Sequence, residues 1–236
     1  MAEVPRDVAP PVDRVRSPGS RRIADHRYRP TLDRVTTRIE IVGFVVSPEH
    51  AYEGRPGDGP REVRTETPDA IAIRAGHGVV GDRYAGQAAH REAAVTVLAV
   101  EALEAVADEL GVPRFDPAAA RRTIVTRGLE VEALRGREFA IDSGDGPVLL
   151  GGGRPAAPCA WMDVVLAPGA HAALRGRAGV RCAALGSGTL RVGPATVAVG
   201  DDVVLDPSRA GVPHRRRPAA ASSGPRTSDL PDGAGV

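Results

Sequence analysis

The segment 180–205 most constrains the fold, because it places short apolar stretches between closely spaced glycine turns. Turns at 186–188, 193–194 and 200–201 interrupt this segment. Short stretches of alternating apolar residues are typical of β-strands, and glycine turns at such spacing join neighbouring strands. The predicted strands here are 180–185, 189–192, 196–199 and 202–205. This pattern predicts a β-barrel or a β-sandwich.

The preceding region continues the pattern with few helices. Further strands are predicted at 38–46, 70–74, 94–98, 123–126, 138–141 and 148–150. Apolar residues at helical spacing predict a helix over 103–110 that stops at Gly111, and Asp116 caps a short helix ending at Ala120. The residues 47–67 are expected to form a surface loop. Because helices are so few, we do not expect a doubly wound parallel sheet, and the predicted fold class is mainly β.

The two ends of the chain differ from its centre. Residues 1–37 and 207–236 are rich in proline, and in arginine or glycine, so we expect disordered tails flanking one domain at 38–206. We interpret the three consecutive arginines 215–217 as solvent-exposed charges in the second tail. No apolar signal region or membrane span is evident, and the net charge is only +1. We therefore expect a cytoplasmic protein that binds neither nucleic acid nor membranes.

The absence of lysine excludes two mechanistic classes. All 31 basic residues are arginine. The chain therefore forms no internal Schiff base with pyridoxal phosphate or a carbonyl substrate. It also lacks the lysine that a P-loop nucleotidase requires.

Several short motifs favour ordinary structural explanations. The glycine spacing of 76–81 matches the GxGxxG motif of dinucleotide-binding folds. No helical pattern follows these glycines, so we do not expect dinucleotide binding. Ser187 lies between two glycines without a nucleophile elbow, and so indicates a hairpin turn. The six histidines are scattered, without the spacing of a metal site.

The two cysteines have different settings. Cys182 alternates with Val180 and Ala184, which favours a buried thiol that packs as a small apolar group. Cys159 lies within 154–163, where two prolines predict a stiff loop rather than a central strand. A thiol on a rigid loop can act as a nucleophile or a soft-metal ligand, and Arg154 is close enough in sequence to favour the thiolate. From the residues alone, a reactive and a packed Cys159 both remain open.

The paired Arg121 and Arg122 stand just before the strand that begins at Thr123. Such a pair can be structural, with a carboxylate partner. It can also hold an oxyanion or a phosphate, because a guanidinium presents a planar fork of donors. Both explanations remain open here.

Three stretches in order resemble the MOSC domain, named for the C-terminal domain of molybdenum cofactor sulfurase. The first is 78–83, which leads through 94–98 to the helix around 101–103. The second is 121–129, followed by 134–137. The third is Pro158-Cys159 with 174–185, closing on 200–203. The resemblance covers roughly residues 38–205.

The resemblance implies a MOSC-type β-barrel with a few short helices and one functional cysteine, Cys159. Family members are thought to bind the molybdenum cofactor or to carry sulfur on that thiol as a persulfide. In some relatives the cysteine is a molybdenum ligand, and the protein reduces N-hydroxylated compounds. The family link to pyridoxal phosphate comes through a separate desulfurase domain. Because this chain has no lysine, such chemistry would belong to a partner.

The resemblance also implies a set of binding residues. In this hypothesis Arg122, with Arg121 and Arg83, binds the cofactor's phosphate or the oxo groups of its metal. Asp82 orients one of these arginines, and Arg154 is a further candidate for binding the cofactor. Thr123 stands where the family commonly has asparagine, and its hydroxyl lacks the second donor of an amide.

Three functions follow as hypotheses. The first is a stand-alone MOSC protein that holds molybdopterin or sulfane sulfur on Cys159, served by a cysteine desulfurase. The second is a molybdenum-dependent reductase of N-hydroxylated compounds with a separate electron-transfer partner. The third is a non-catalytic binding module in which Cys159 is merely packed.

Overall fold

The computed structural model describes residues 36–200 and 205–214 and confirms a mainly β fold. Within these residues the strands are β1 (Thr36–Phe44), β2 (Ala70–Arg74), β3 (Gly78–Val79), β4 (Val95–Ala99), β5 (Ile124–Arg127), β6 (Glu138–Asp142), β7 (Val148–Pro155), β8 (Val180–Ala184), β9 (Gly188–Arg191) and β10 (Gly193–Val199). The helices are α1 (Val100–Leu110), α2 (Trp161–Val165) and α3 (Ala170–Ala173). Short 3₁₀ turns lie at Pro56–Asp58, Ala88–His90, Pro117–Ala120, Val131–Leu134 and Pro207–Arg209.

Seven strands close into a barrel in the order β1-β10-β6-β7-β8-β4-β5. The pair β4 and β5 is parallel, and the other neighbours are antiparallel. The parallel pair needs a crossover, which α1 supplies on the outside of the barrel. Closure leaves no free edge, so every barrel strand is paired on both sides.

A second, three-stranded sheet has the order β3-β2-β9. The predicted strand 189–192 therefore leaves the barrel and pairs with β2, with Ile71 opposite Leu190. Gly78 in β3 has a positive φ of +101°, and a Cβ there would lie 2.6 Å from the Ala94 Cβ. Glycine thus permits the close approach of β3 to the start of β4.

Two apolar clusters stabilise the fold. The larger fills the barrel and includes Phe44, Phe139 and Cys182, none of them more than 1% exposed. The smaller packs α1 and α2 against the barrel wall around Leu98, Leu103 and Trp161. The second cluster anchors the segment that follows Cys159.

The helix predicted over 103–110 is confirmed, but it begins one turn earlier, at Val100. Its stop is also confirmed, because Gly111 has a left-handed φ of +65° and donates its N–H to two carbonyls of the last turn. The Asp116 cap is present as well, with its side chain accepting from the N–H of Ala118. The helix it begins is a 3₁₀ turn.

Two boundaries near prolines were wrong. Strand β7 continues to Pro155, so Arg154 lies at a strand end rather than in the predicted loop. The register slips between Gly152 and Pro155, and this irregularity lets proline end the strand without breaking a ladder. Likewise β10 begins at Gly193, where a turn was predicted.

Towards the C-terminus, the structure describes the chain as far as His214. Pro207–Arg209 form a 3₁₀ turn that Asp206 caps, and the N–H of His214 donates to the Gly176 carbonyl at 2.8 Å. The disordered tail was expected to begin at residue 207, which lies within this structured segment. Residues 1–35, 201–204 and 215–236 lie outside the described residues, and with them most of the predicted tails, part of the strand 202–205 and the arginine run. In the part that is described, no helix is long and apolar enough to cross a membrane.

Candidate active site

Cys159 is exposed on a short segment that is anchored at both ends. Before it, the N–H of Ala156 donates to the Gly179 carbonyl at 2.8 Å. After it, Trp161 and Met162 of α2 are buried, and the N–H of Met162 donates to the Cys159 carbonyl at 2.9 Å. The thiol therefore stands on a fixed backbone and faces solvent.

Cys182 is the opposite case. Its side chain is fully buried in the barrel, and this burial raises the pKa of the thiol to about 12. The prediction of a packed, apolar Cys182 is confirmed. The exposed Cys159 is thus the accessible thiol of the described region.

Arg122 joins the cysteine segment to the barrel. The guanidinium is partly buried and donates to the carbonyls of Ala156 and Ala178, each at 3.0 Å, and more weakly to that of Ala120 at 3.4 Å. A guanidinium has five N–H donors, so these bonds leave two for another acceptor. No described carboxylate forms an ion pair with Arg122, so its charge has no direct counter-ion.

The electrostatics of Arg122 agree with this geometry. Burial lowers the pKa of Arg122 to about 10, the positive charge of Arg181 lowers it as well, and a negative charge on Cys159 acts in the opposite direction. The guanidinium is therefore still charged at neutral pH. It also lies within electrostatic reach of the Cys159 sulfur.

Arg121 is held differently. It is the one non-glycine residue with a positive φ in the described part of the chain, at +52°. Its side chain donates to the Thr65 hydroxyl at 3.0 Å and to the Glu49 carbonyl at 2.7 Å, and it lies over the Tyr52 ring. A non-glycine residue in this conformation costs on the order of 1 kcal/mol, and such strain is often found at functional sites. Among the residues that the structure describes, neither arginine of the pair has the carboxylate partner that a purely structural explanation expects.

Asp82 and Arg83 form a third element. Asp82 is buried, accepts the N–H of Tyr84 at 3.1 Å and lies 3.3 Å from Nη1 of Arg83. The Arg83 guanidinium stacks over the Tyr84 ring at 4.7 Å. Its Nε is buried without a hydrogen-bond partner. An unpaired buried donor is costly, and a bound anion would satisfy it.

These arginines converge on one small cavity, the inner pocket, which also includes Arg181 of β8. The cavity has a volume of about 60 Å³, room for a few water molecules or one small oxyanion. Its lining residues are Arg83, Tyr84, His90, Ala93, Thr96, Arg121, Arg122 and Arg181. Four guanidiniums without an acidic residue in the lining make a strong site for an anion. Cys159 is not among the lining residues.

A wider cavity, the outer groove, adjoins the inner pocket and shares His90, Ala93 and Arg181 with it. It has a volume of about 570 Å³ and is lined by Ala88, Ala89, His90, Arg91, Glu92, Ala93, Gly136, Gly153, Arg154 and Arg181. Arg154, predicted as a cofactor-binding residue, lies here rather than in the inner pocket. The lining combines small residues with the guanidiniums of Arg91, Arg154 and Arg181 and one carboxylate, Glu92.

Thr123 does not line either cavity. Its hydroxyl hydrogen-bonds the Thr96 hydroxyl at 3.0 Å, and its N–H donates to the same oxygen at 2.8 Å. Thr96 is the residue that faces the inner pocket. Thr123 therefore orients the Thr96 side chain through two hydrogen bonds without lining the pocket itself.

Tyr52 connects the cysteine segment with the arginines, and the sequence reasoning missed it. Its ring stacks on Trp161 at 5.4 Å, and its hydroxyl donates to the Ala119 carbonyl. Burial raises the pKa of Tyr52, while the neighbouring arginines, with Arg121 the strongest among them, lower it. Tyr52 lies in a long loop about 70 residues before the arginine pair, and nothing in its local pattern marks it.

Arg181, Tyr84 and His90 were also missed as pocket residues. Arg181 alternates with buried neighbours on β8, which indicates only that it faces outward. The Tyr84 ring packs between His50 and His90, at 5.2 and 4.5 Å. Burial and then the charge of Arg83 lower the pKa of His50. In residues 36–200 and 205–214, no three His, Cys, Asp or Glu side chains cluster in a way that could hold a metal ion.

Comparison with known proteins identifies the family. The sequence matches the family profile of the MOSC domain over residues 73–204. The fold is similar to that of YuaD from Bacillus subtilis, with a TM-score of 0.56 and 16% identity over 70% of this chain and 98% of YuaD. It is also similar to a solved hypothetical protein, with a TM-score of 0.51 and 15% identity over 75% of each chain. Among curated proteins, none matches this sequence. Because the MOSC match spans more than half of the chain, the protein belongs to the MOSC domain family.

Proposed function

We propose that this protein binds a molybdenum-type cofactor, with an anionic group in the inner pocket and Cys159 as thiolate ligand or sulfane-sulfur carrier. The observation that supports this most is Arg122. Its charge has no carboxylate partner in the described chain, and its Nη2 holds the backbone of the cysteine segment through Ala156. One side chain thus links an anion site to the exposed thiol.

The residues present fit such a group. Phosphate and metal-oxo groups are anions, and the orphaned Nε of Arg83 together with the free donors of Arg122 would bind them. The small residues of the outer groove leave space for a flat ring system beside Arg154 and Arg181. Thiolate is a suitable soft ligand for a transition metal. When bound, such a cofactor supplies a redox-active metal centre.

The residues of this chain have separate roles in the proposal. Arg122 and Arg83 bind and orient the anion, Asp82 holds Arg83, and Arg121 fixes the loop of Tyr52. For sulfur transfer, the Cys159 thiolate attacks the outer sulfur of a donor persulfide. A new sulfur–sulfur bond forms on Cys159, the donor's bond breaks, and the donor leaves as a thiolate.

The partners and the compartment follow from that chemistry. A cysteine desulfurase would supply the persulfide and would hold the pyridoxal phosphate, since this chain has no lysine. A reductase activity on N-hydroxylated compounds would instead need an electron-transfer partner. We place the protein in the cytoplasm, where free thiols such as Cys159 and Cys182 remain reduced.

Cysteine variants test the proposal directly. Wild-type protein, Cys159→Ala and the matched control Cys182→Ala would be purified, and bound molybdenum and persulfide measured by elemental analysis and thiol-trapping mass spectrometry. We expect the wild type and Cys182→Ala to carry molybdenum or persulfide and Cys159→Ala to lose it. Full loading of Cys159→Ala would rule out the proposed role of this thiol.

A further inference from the structure

Glu132 is a buried carboxylate that the proposed chemistry does not use. It lies in the 3₁₀ turn Val131–Leu134 and is 8% exposed. Its Oε1 accepts the N–H of Gly179 at 3.0 Å, whereas its Oε2 is buried without a hydrogen-bond partner. Arg135, the residue after this turn, forms an ion pair with Oε2 at 3.8 Å, a distance too long for a hydrogen bond.

One peptide group lies between Glu132 and Arg122. The Gly179 N–H that Glu132 accepts and the Ala178 carbonyl that accepts from Arg122 Nε at 3.0 Å belong to the same peptide. This peptide is tightly packed, because a Cβ on Gly179 would lie 2.2 Å from the Val97 carbonyl oxygen. The carboxylate and the guanidinium are therefore joined through a single, rigid amide dipole.

We propose that Glu132 positions Arg122 through the Ala178–Gly179 peptide and couples anion binding in the inner pocket to the uptake of one proton. The inference rests on the anion site of the proposed function and adds its regulation. The charged carboxylate competes with a bound anion for the positive charge of Arg122. When an anion binds, Glu132 therefore takes a proton from solvent, and the hydrogen bond from Gly179 stays in place.

The surroundings of Glu132 place this titration in the neutral range. Burial raises the pKa of Glu132 to about 7, against the opposing effects of the Gly179 hydrogen bond, then Arg135 and Arg122. These groups face Glu132 from three places: Arg135 directly follows its turn, Gly179 directly precedes β8, and Arg122 belongs to the arginine pair. Arg122 stays protonated throughout this range, so the carboxyl group is the one that changes charge.

Linkage makes the coupling measurable from either side. If protonation of Glu132 tightens anion binding by some factor, the anion favours protonation of Glu132 by the same factor. Sulfate is the appropriate probe, because its own charge is constant between pH 6 and 8. We expect wild-type protein to bind sulfate at least about threefold more tightly at pH 6 than at pH 8, because a fivefold coupling, the lower end of the typical range, is only partly expressed between these two pH values.

Calorimetric titration of sulfate into matched variants isolates Glu132. Glu132→Gln keeps an oxygen acceptor for Gly179 but cannot change charge, and we expect it to lose most of the pH dependence while binding as tightly as wild type at pH 6. Glu104→Gln removes an exposed carboxylate that pairs with Arg127, and should behave as wild type. His90→Gln removes the imidazole that lines the inner pocket and should keep the part of the pH dependence that belongs to Glu132.

The outcomes separate this inference from the proposed function. An equal pH dependence in wild type and Glu132→Gln would overturn the role of Glu132 and leave the anion site standing. No sulfate binding by wild type at either pH would overturn both. Should Glu132→Gln fail to fold, NMR titration of the Glu132 carboxyl in the wild type tests the coupling instead. Saturating sulfate must raise the pKa of Glu132 by the logarithm of the factor by which protonation tightens sulfate binding. An unchanged pKa would refute the coupling.

Discussion

The protein places the same two residue types, arginine and cysteine, in two contrasting settings. At the candidate site, Arg122 donates only to carbonyls and Cys159 is exposed. Elsewhere, Arg177 is 5% exposed, donates to the Ala173 carbonyl at 2.9 Å and pairs with Glu109, while Cys182 is sealed in the barrel. Both arginines bind backbone carbonyls, but within the described part of the chain only Arg177 has a carboxylate partner.

The difference separates structural from functional use of one side chain. A guanidinium that merely fastens loops is stabilised further by a counter-ion, as Arg177 is by Glu109. Arg122 also binds backbone carbonyls of two segments, but it has no counter-ion among the described residues, although desolvation of an unpaired charge is unfavourable. A ligand anion would supply the missing charge, and the neighbouring guanidiniums of Arg83 and Arg181 would strengthen its binding.

The largest expected effect concerns the two thiols. We expect iodoacetamide to label Cys159 at least on the order of 1,000-fold faster than Cys182, because a sealed thiol reacts only when the fold opens. Peptide mass spectrometry over a time course measures both rates in one sample. Comparable rates in folded protein would remove the contrast between the two settings.

The next effect concerns the two arginines. Arg122→Met should weaken sulfate binding about 100-fold, since the loss of a charged hydrogen-bonding partner typically costs 2–5 kcal/mol. The matched variant Arg177→Met should bind sulfate as wild type does, and lose only stability. Calorimetry and urea unfolding of both proteins measure the two quantities, and equal loss of affinity would contradict the distinction.

A third effect concerns stability and pH. The folded-state pKa of Glu132 is raised to about 7 from 4.5, so its contribution to stability is complete below pH 4.5 and is lost as pH rises through 7. We expect wild type to lose on the order of 2 kcal/mol more than Glu132→Gln between pH 5 and 8. Urea unfolding at the two pH values tests this, and parallel curves would show that Glu132 titrates normally.

The smallest effect concerns Arg83, which lies between the two settings. It pairs with Asp82 but leaves its Nε unpaired. Since its charge is partly compensated, we expect Arg83→Gln to weaken sulfate binding only about fivefold, within the range of one ordinary hydrogen bond. A loss as large as that of Arg122→Met would mean that Asp82 does not neutralise Arg83.

The strands could be predicted from the sequence because their signals are local, whereas the choice of a barrel over a sandwich came from the resemblance to the MOSC domain. The alternation around Cys182 and the stop at Gly111 depend on neighbouring residues alone, and both are confirmed. The small sheet could not be predicted, since β9 pairs with β2 across more than a hundred residues of chain. Local patterns do not specify such long-range pairing.

The site was predicted only in part for the same reason. Arg121, Arg122 and Arg83 were found and do converge, but that convergence depends on the barrel closing. Tyr52 and Glu132 have no motif, and their importance comes from contacts with residues distant in sequence. Thr123 was expected at the ligand and instead supports Thr96, a distinction that only the fold reveals.

The proposed function depends on an anion site formed by Arg122 and its neighbours. Crystals soaked in tungstate would reveal this site, because the heavy anion is located by its anomalous scattering. We expect a tungsten peak in the inner pocket, within hydrogen-bond reach of Arg122 and Arg83, and none beside Arg177. Tungstate bound only at surface arginines, with none in the inner pocket, would show that these arginines do not form an anion site.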